Sequence, residues 1–411
     1  MKLILIFWLL ISFSLSQDIF VQEEEENLYR SAVEYSFDEV LDNGAYTFVL
    51  ENLSGIINIT GHAGSGSHLI IDNRVRAVSN KNAIAILKNS QINVYHNKNN
   101  KTVNIRKISE RYDHKTITNI DLHIPINTNI KGFVKNSDLI ISKFRGSVNI
   151  KSESTDSELN NLTGNIVFNT KGGNTKINKA SGTIRLHVAS GNIEMIQCDG
   201  NIFTSSENGS IKMNRIKGEL ESITTLGDIN ISHFDGRNCS VNINVGNLIA
   251  KNCNSSIEAN IDIGNINISE IKGDLNLFTG KGKVEINNII GNTRCNSNFG
   301  DINGINLFGS VYANSELGDI NINKGYNSFL NNHEIDLSTK RGSVSLRIPS
   351  DLPFLIKTHC NNLNSKDAIS SNIPMKEEIY ATKVIAEGKI KKGTIDCVIY
   401  SNYGPISINT N

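Results

Sequence analysis

GDINI at 227–231 is one line of a refrain: GNIEM stands at 191–195, GSIKM at 209–213, GNINI at 264–268 and GKVEI at 282–286. Working outward from it, glycines fall every nine residues at Gly146, Gly164, Gly173, Gly182, Gly191, Gly200, Gly209, Gly218, Gly227 and Gly236. One added residue then slips the phase, and the beat resumes at Gly246, Gly264, Gly273, Gly282, Gly291, Gly300, Gly309 and Gly318. Thr155 and Ser255 fill the two slots without glycine. A fixed short period means stacked repeats, each too small to bury its own apolar side.

Residues two and four after each glycine are mostly apolar and their neighbours polar, the alternation of a half-buried strand. Alternate nines differ. A third apolar residue follows seven places after Gly191, Gly209, Gly227, Gly246, Gly264 and Gly282, at Cys198, Ile216, Phe234, Cys253, Ile271 and Ile289. The intervening nines carry Glu207, Thr225, Asp262 and Gly280 there, so the repeat is eighteen residues with two faces. The expected fold is all-β: an elongated β-solenoid of eighteen-residue coils, each two nine-residue half-coils, with β-rich caps at both ends. Ile193, Ile211, Ile229, Ile266, Val284, Ile302 and Ile320 form its core ladder, and glycines supply turn conformations that a Cβ disfavours. Nine or ten coils give a rod on the order of 45 Å long. The residue added between Gly236 and Gly246 is expected as a bulge.

The rest of the chain divides around this block. Residues 1–16 (MKLILIFWLLISFSLS) read as an export signal, with an apolar core and small residues before Gln17. Residues 17–44 read as an acidic leader carrying Glu23–Glu26, with Leu28–Val40 as a helical turn or two or further linker. Residues 45–132 form an amino-terminal β-rich cap, with AIAILKN at 83–89 among its strands and Asn97–Lys101 as a hairpin tip. Repeats run over 133–325. Residues 326–411 hold closing strands, with Gly325–His333 and Asn361–Glu378 as loops.

The whole run from about Ser36 resembles the bacterial exported β-strand-repeat proteins grouped as the "putative adhesin" family. The resemblance rests on DLHIPINTNIKG at 121–132, the GDI/GNI units, STKRGSVSLRIPSDLPFLIKTH at 338–359 and the closing GTIDCVIYSNYGPISIN at 393–409. It implies an elongated β-solenoid outside the cytoplasm and transfers no catalytic residues.

Charge is balanced at forty-one basic and forty-one acidic residues, so no nucleic-acid or anionic-membrane partner is expected. The six cysteines include no CxxC pair; Cys198, Cys253 and Cys295 sit in slots of small buried hydrophobes. Acid/base chemistry on a sugar would draw on Asp228, Asp274, Asp301 and Asp319 just after glycines, or Glu194, Glu221, Glu258 and Glu285 two places further on. Lys212, Lys283 and Arg237 share those slots, which reads as a solvated mixed-charge face. Calcium β-rolls need GGxGxDxUx turns; only Gly172-Gly173 is doubled, and Asn174 and Lys176 follow where Gly and Asp are required. The nine histidines lack metal spacing, Gly64-Ser65-Gly66 lacks a P-loop lysine, and Ser205 and Ser206 lack a nucleophile context. Asparagines in stacked turns suit side-chain ladders. The expectation is therefore an exported, non-enzymatic cell-envelope protein. It has no cofactor, metal or transmembrane span after signal removal, and an envelope protein or glycan as partner. The alternative is a scaffold that self-assembles end to end; a polysaccharide-acting β-helix enzyme ranks below both.

Overall fold

The computed structural model describes residues 20–109, 111, 113–361 and 368–410; the export-signal reading lies outside them. The protein is all-β, with thirty strands and one α-helix among the described residues. Its strands form two interleaved ladders. Ile266–Lys272 pairs in parallel with Val284–Ile290, while Leu275–Lys281, between them in sequence, pairs with Thr293–Phe299. In both ladders a residue meets the one eighteen later: Ile266 lies against Val284 in one, and Leu275 against Thr293 in the other. Like therefore stacks on like, and inward residues line up along one continuous core running from Val40 to Ile408. Ile193, Ile211, Ile229, Ile266, Val284, Ile302 and Ile320 are all buried in it.

The glycine slots have a physical cause that the turn argument covers only in part. Gly300, Gly309 and Gly318 do not adopt left-handed backbone, although the other nine expected turn glycines have φ between +101° and +156°. What all twelve share is proximity. A Cβ on any of them would sit 1.7–2.4 Å from the carbonyl of the residue eighteen earlier. Glycine is required because the chains of successive repeats touch there. The second corner uses another device: Gln197, Arg215, His233, Asn252, Glu270, Asn288 and Asn306 hold φ of 55–58° without being glycine. Each immediately precedes a third core residue, so this left-handed kink turns Cys198, Ile216, Phe234 and their counterparts inward.

The chain before residue 133 differs from expectation at three places. Residues 17–44 are not simply leader: Gln22–Glu25 and Leu28–Ser36 form an antiparallel strand pair. Residues 80–89 are helical, not a strand. Ser79 caps the helix by accepting from Asn82 N–H, and Ala83 and Leu87, four apart, pack on Tyr29 and Val75. Third, the parallel register begins inside the expected cap. Thr47–His62 already pairs along both halves with Asn129–Phe144, and residues 63–128 are inserted between these two levels.

Both ends carry antiparallel strands, although Ile369–Ser371 pairs in parallel with Ile406–Thr410. At the amino-terminal end Thr116–Pro125 carries His68–Arg76, then Leu28–Ser36, then Gln22–Glu25. At the other end Phe354–Cys360 carries Val384–Lys389, then Met375–Ile379. Part of the expected 361–378 loop is thus strand, at Ile369–Ser371 and Met375–Ile379; residues 362–367 lie outside the described residues. Of the edge strands, Gln22–Glu25 carries Glu23, Glu24 and Glu25 and Met375–Ile379 carries Lys376, Glu377 and Glu378, charges that discourage further strand addition. Ile92–Asn97 and Ile369–Ser371 are edges without Lys, Arg, Asp or Glu.

Candidate functional site

The carboxylates considered for catalysis are occupied in holding the next repeat. Asp228 Oδ1 accepts from the backbone N–H of Asn247 at 2.7 Å and from its Nδ2 at 3.0 Å. Asp274 accepts Asn292 N–H at 2.7 Å, Asp301 accepts Asp319 N–H at 3.1 Å, and Asp319 accepts Ser343 N–H at 2.7 Å. Asn174, Asn192, Asn247 and Asn265 do the same for the repeats above them. At these positions the residue after the glycine therefore supplies an acceptor for a corner N–H outside the strand ladders, a role that Lys283 after Gly282 cannot fill. Of the outer glutamates, Glu194 lies 3.8 Å from Lys212 and Glu285 accepts from Asn303 at 2.8 Å. Glu221 and Glu258 are exposed with Ser240 between them in the ladder.

One constellation went unnoticed in the sequence. His187 Nδ1 lies 3.4 Å from Ser205 Oγ, and His187 Nε2 lies 3.5 Å from Glu207 Oε1. The eighteen-residue offset between His187 and Ser205 was the signal that could have found it. It stands on an exposed sheet face whose backbone pairs in the ladder on both sides. Two N–H groups converging on an oxyanion are therefore lacking there.

Two irregularities interrupt the repeats at the same corner. The first is the added residue, which shifts the register between Asp235 and Asn238. Beside it opens a cleft of about 620 Å³ lined by Glu219, Asp235, Arg237, Asn254, Ser256 and Lys272. The second is the Gly325–His333 loop, which stretches the offset so that Val311 meets Ile335. Its base is built on buried Lys324, whose Nζ donates to the carbonyls of Leu307 (2.9 Å), Phe308 (2.7 Å) and Gly325 (3.0 Å). Burial pushes this ammonium down to about 7. His333, also buried, lies 3.1 Å from Phe308 O; desolvation and then the Lys324 charge lower its pKa. Tyr326 and Phe329 stand exposed on the loop.

All six cysteines are free and buried, and burial pushes the thiols of Cys198, Cys239, Cys253, Cys295 and Cys397 up. Among the described residues no group of three or more His, Cys, Asp or Glu is gathered as a metal would need. No helix among them is long and apolar enough to cross a membrane.

No protein-family model matches the chain, and no curated protein matches it. A solved structure described as "a putative cell adhesion protein" from Clostridium sporogenes ATCC 15579 is similar at 10% identity and a TM-score of 0.19. The likeness covers 92% of this chain and 100% of that one. At that identity and score it carries no argument about role.

Proposed function

We propose that this chain is an exported β-solenoid rod of the adhesin type, which presents its outer surface to a glycan or envelope protein and carries out no chemistry of its own. The observation that carries the reading is the use made of the outward carboxylates. Asp228, Asp274, Asp301 and Asp319 accept backbone N–H groups from the next repeat, so residues placed for acid/base work instead hold coil to coil. The parallel eighteen-residue register supports the solenoid, and the apolar run at 1–16 supports export. Charge on two of the four described edge strands, Gln22–Glu25 and Met375–Ile379, weighs against the end-to-end scaffold.

Protease digestion of the producing cells, intact and then permeabilised, tests the reading. Digestion on intact cells, with labelled mature rod (residues 17–411) binding to target cells or their glycans, is the expected result. Digestion only after permeabilisation would defeat the adhesin role. Turnover of a polysaccharide lost in Asp228→Ala, Asp274→Ala or Glu285→Ala would defeat the non-enzymatic one.

A further inference from the structure

The corner just before the Gly227–Gly318 strand starts carries an apolar line. Leu226 stacks on Val245, Val245 on Ile263, Ile263 on Lys281, and Lys281 on Phe299. Leu317 continues the line one repeat further, its N–H bonded to Asn298 O. These side chains face water: Leu226 is 48% exposed, Val245 42%, Ile263 50%, Phe299 54% and Leu317 40%. The same column is polar on either side of this run, at Ser190 and Asn208 before it and Arg341 after it. The opposite corner reads Lys217, Asp235, Asn254 and Lys272 over its first four levels and turns apolar at Ile290, 37% exposed, and Phe308. The unbroken exposed line thus runs over six repeats on this edge, about 24 Å at one strand spacing per step. Contiguous exposed apolar surface of this kind marks an interaction site.

Lys281 is the misfit that identifies the occupant. It interrupts the apolar line at the fourth of six levels, and Asp262 flanks Ile263 at the third. Both are exposed, and neither makes an ion pair among the described residues. We infer that this edge pairs with the same edge of a second copy, antiparallel about a twofold axis between the Ile263 and Lys281 levels. That arrangement sets Lys281 of each chain against Asp262 of the other, places Phe299 against Val245, and Leu317 against Leu226. A parallel arrangement in register would oppose Lys281 to Lys281. The acidic residues at the outer levels are already engaged: Asp228 and Asp319 with backbone N–H groups, and Glu316 with Lys340 at 4.0 Å. A twofold pairing is self-complementary and closes at two chains. Five half-exposed side chains supply roughly 400 Å² per partner, about half of a standard stable interface, so the dimer is weak, with a Kd on the order of 10–100 µM. It is a lateral contact, distinct from end-to-end stacking.

Sedimentation equilibrium of the mature chain, from about 5 to 500 µM, tests it. The weight-average mass is expected to climb from one chain toward two and stop. The double variant Val245→Asn/Phe299→Asn should stay monomeric with an unchanged melting midpoint. Lys281→Asp should lower the association constant about tenfold or more, and Lys281→Asp with Asp262→Lys should restore it. A zero-length carbodiimide crosslink between Lys281 and Asp262 of two wild-type chains, mapped by mass spectrometry, checks the register without any variant. Wild-type protein that stays monomeric throughout would overturn the inference. So would a dimer indifferent to Val245→Asn/Phe299→Asn, growth beyond two chains, or a charge reversal that the second reversal does not rescue.

Discussion

Replacing Lys324 by methionine should change how stability depends on pH. Lys324 is 1% exposed, its Nζ is satisfied only by three carbonyls, and burial lowers its pKa to about 7 from the ordinary 10.5. Between those values the unfolded chain binds the proton and the native one does not, so stability rises with pH across the window. Below pH 7 the full penalty of burying the ammonium is already present and constant. Linkage puts that penalty at roughly 4 kcal/mol at pH 7, with about 1 kcal/mol recovered by pH 8 and about 2 kcal/mol by pH 9. The buried thiols work in the opposite sense. Burial keeps the native thiols protonated where the unfolded ones ionise, so their contribution is constant below the unfolded thiol pKa of about 8.5 and stability is lost as pH climbs above it. The comparison of Lys324→Met with wild type cancels them. Methionine leaves Gly325 O without its donor, a cost that does not vary with pH; Leu307 O keeps the Gly325 N–H at 2.9 Å. Urea unfolding of both proteins at pH 7, 8 and 9 should show Lys324→Met losing ground to wild type by about 2 kcal/mol over the range. Parallel profiles for the two would refute a lysine that gives up its proton in this window.

Three further substitutions address the repeats. Gly282→Ala places a Cβ 1.9 Å from Gly264 O and should cost more than about 3 kcal/mol, whereas Gly172→Ala, with nothing nearer than 3.7 Å, should cost under about 1 kcal/mol; equal melting midpoints would count against chain contact as the reason for the beat. Ile229→Asp buries an unpaired carboxylate in the core ladder and should unfold or fray several repeats, read by amide exchange; a variant melting like wild type would remove Ile229 from the core. Asp274→Ala removes the acceptor of Asn292 N–H and should cost about 1–2 kcal/mol in thermal unfolding, while Asp274→Asn keeps an acceptor and should cost less; the reverse order would argue against the ladder.

The repeat was legible because its constraint is local and recurs: the glycine marks chain contact, and alternation marks which side is buried. The ladder after the glycines was half legible: stacked asparagines suggest it, yet Asp228 and Asp274 read as part of a solvated mixed-charge face, and nothing local shows that each accepts an N–H from the next repeat. The kink before the third core residue left only a partial trace: Asn252, Asn288 and Asn306 are of a type that tolerates left-handed backbone, but Gln197, Arg215, His233 and Glu270 share the conformation and no side-chain type. The helix at Asn80–Asn89 was lost in an apolar run too short to separate the two periods, although Ser79 and the Ala83–Leu87 spacing were its signals. The partner of Thr47–His62 lies beyond an insertion of more than sixty residues, and no local pattern reaches that far. The apolar edge was spread over residues eighteen or nineteen apart, so each member read as an isolated exposed hydrophobe until the register joined them.

The most direct test of the stack is its rise. Spin labels on Lys212 and, in turn, Asn267, Asn303 and Ser345 lie on one outward column, three, five and seven pairings apart. Dipolar distances should lengthen in even steps, to backbone separations of about 14, 24 and 34 Å at the ordinary strand spacing. Distances that level off, or fail to grow with the number of repeats between the labels, would contradict a rod built from eighteen-residue coils.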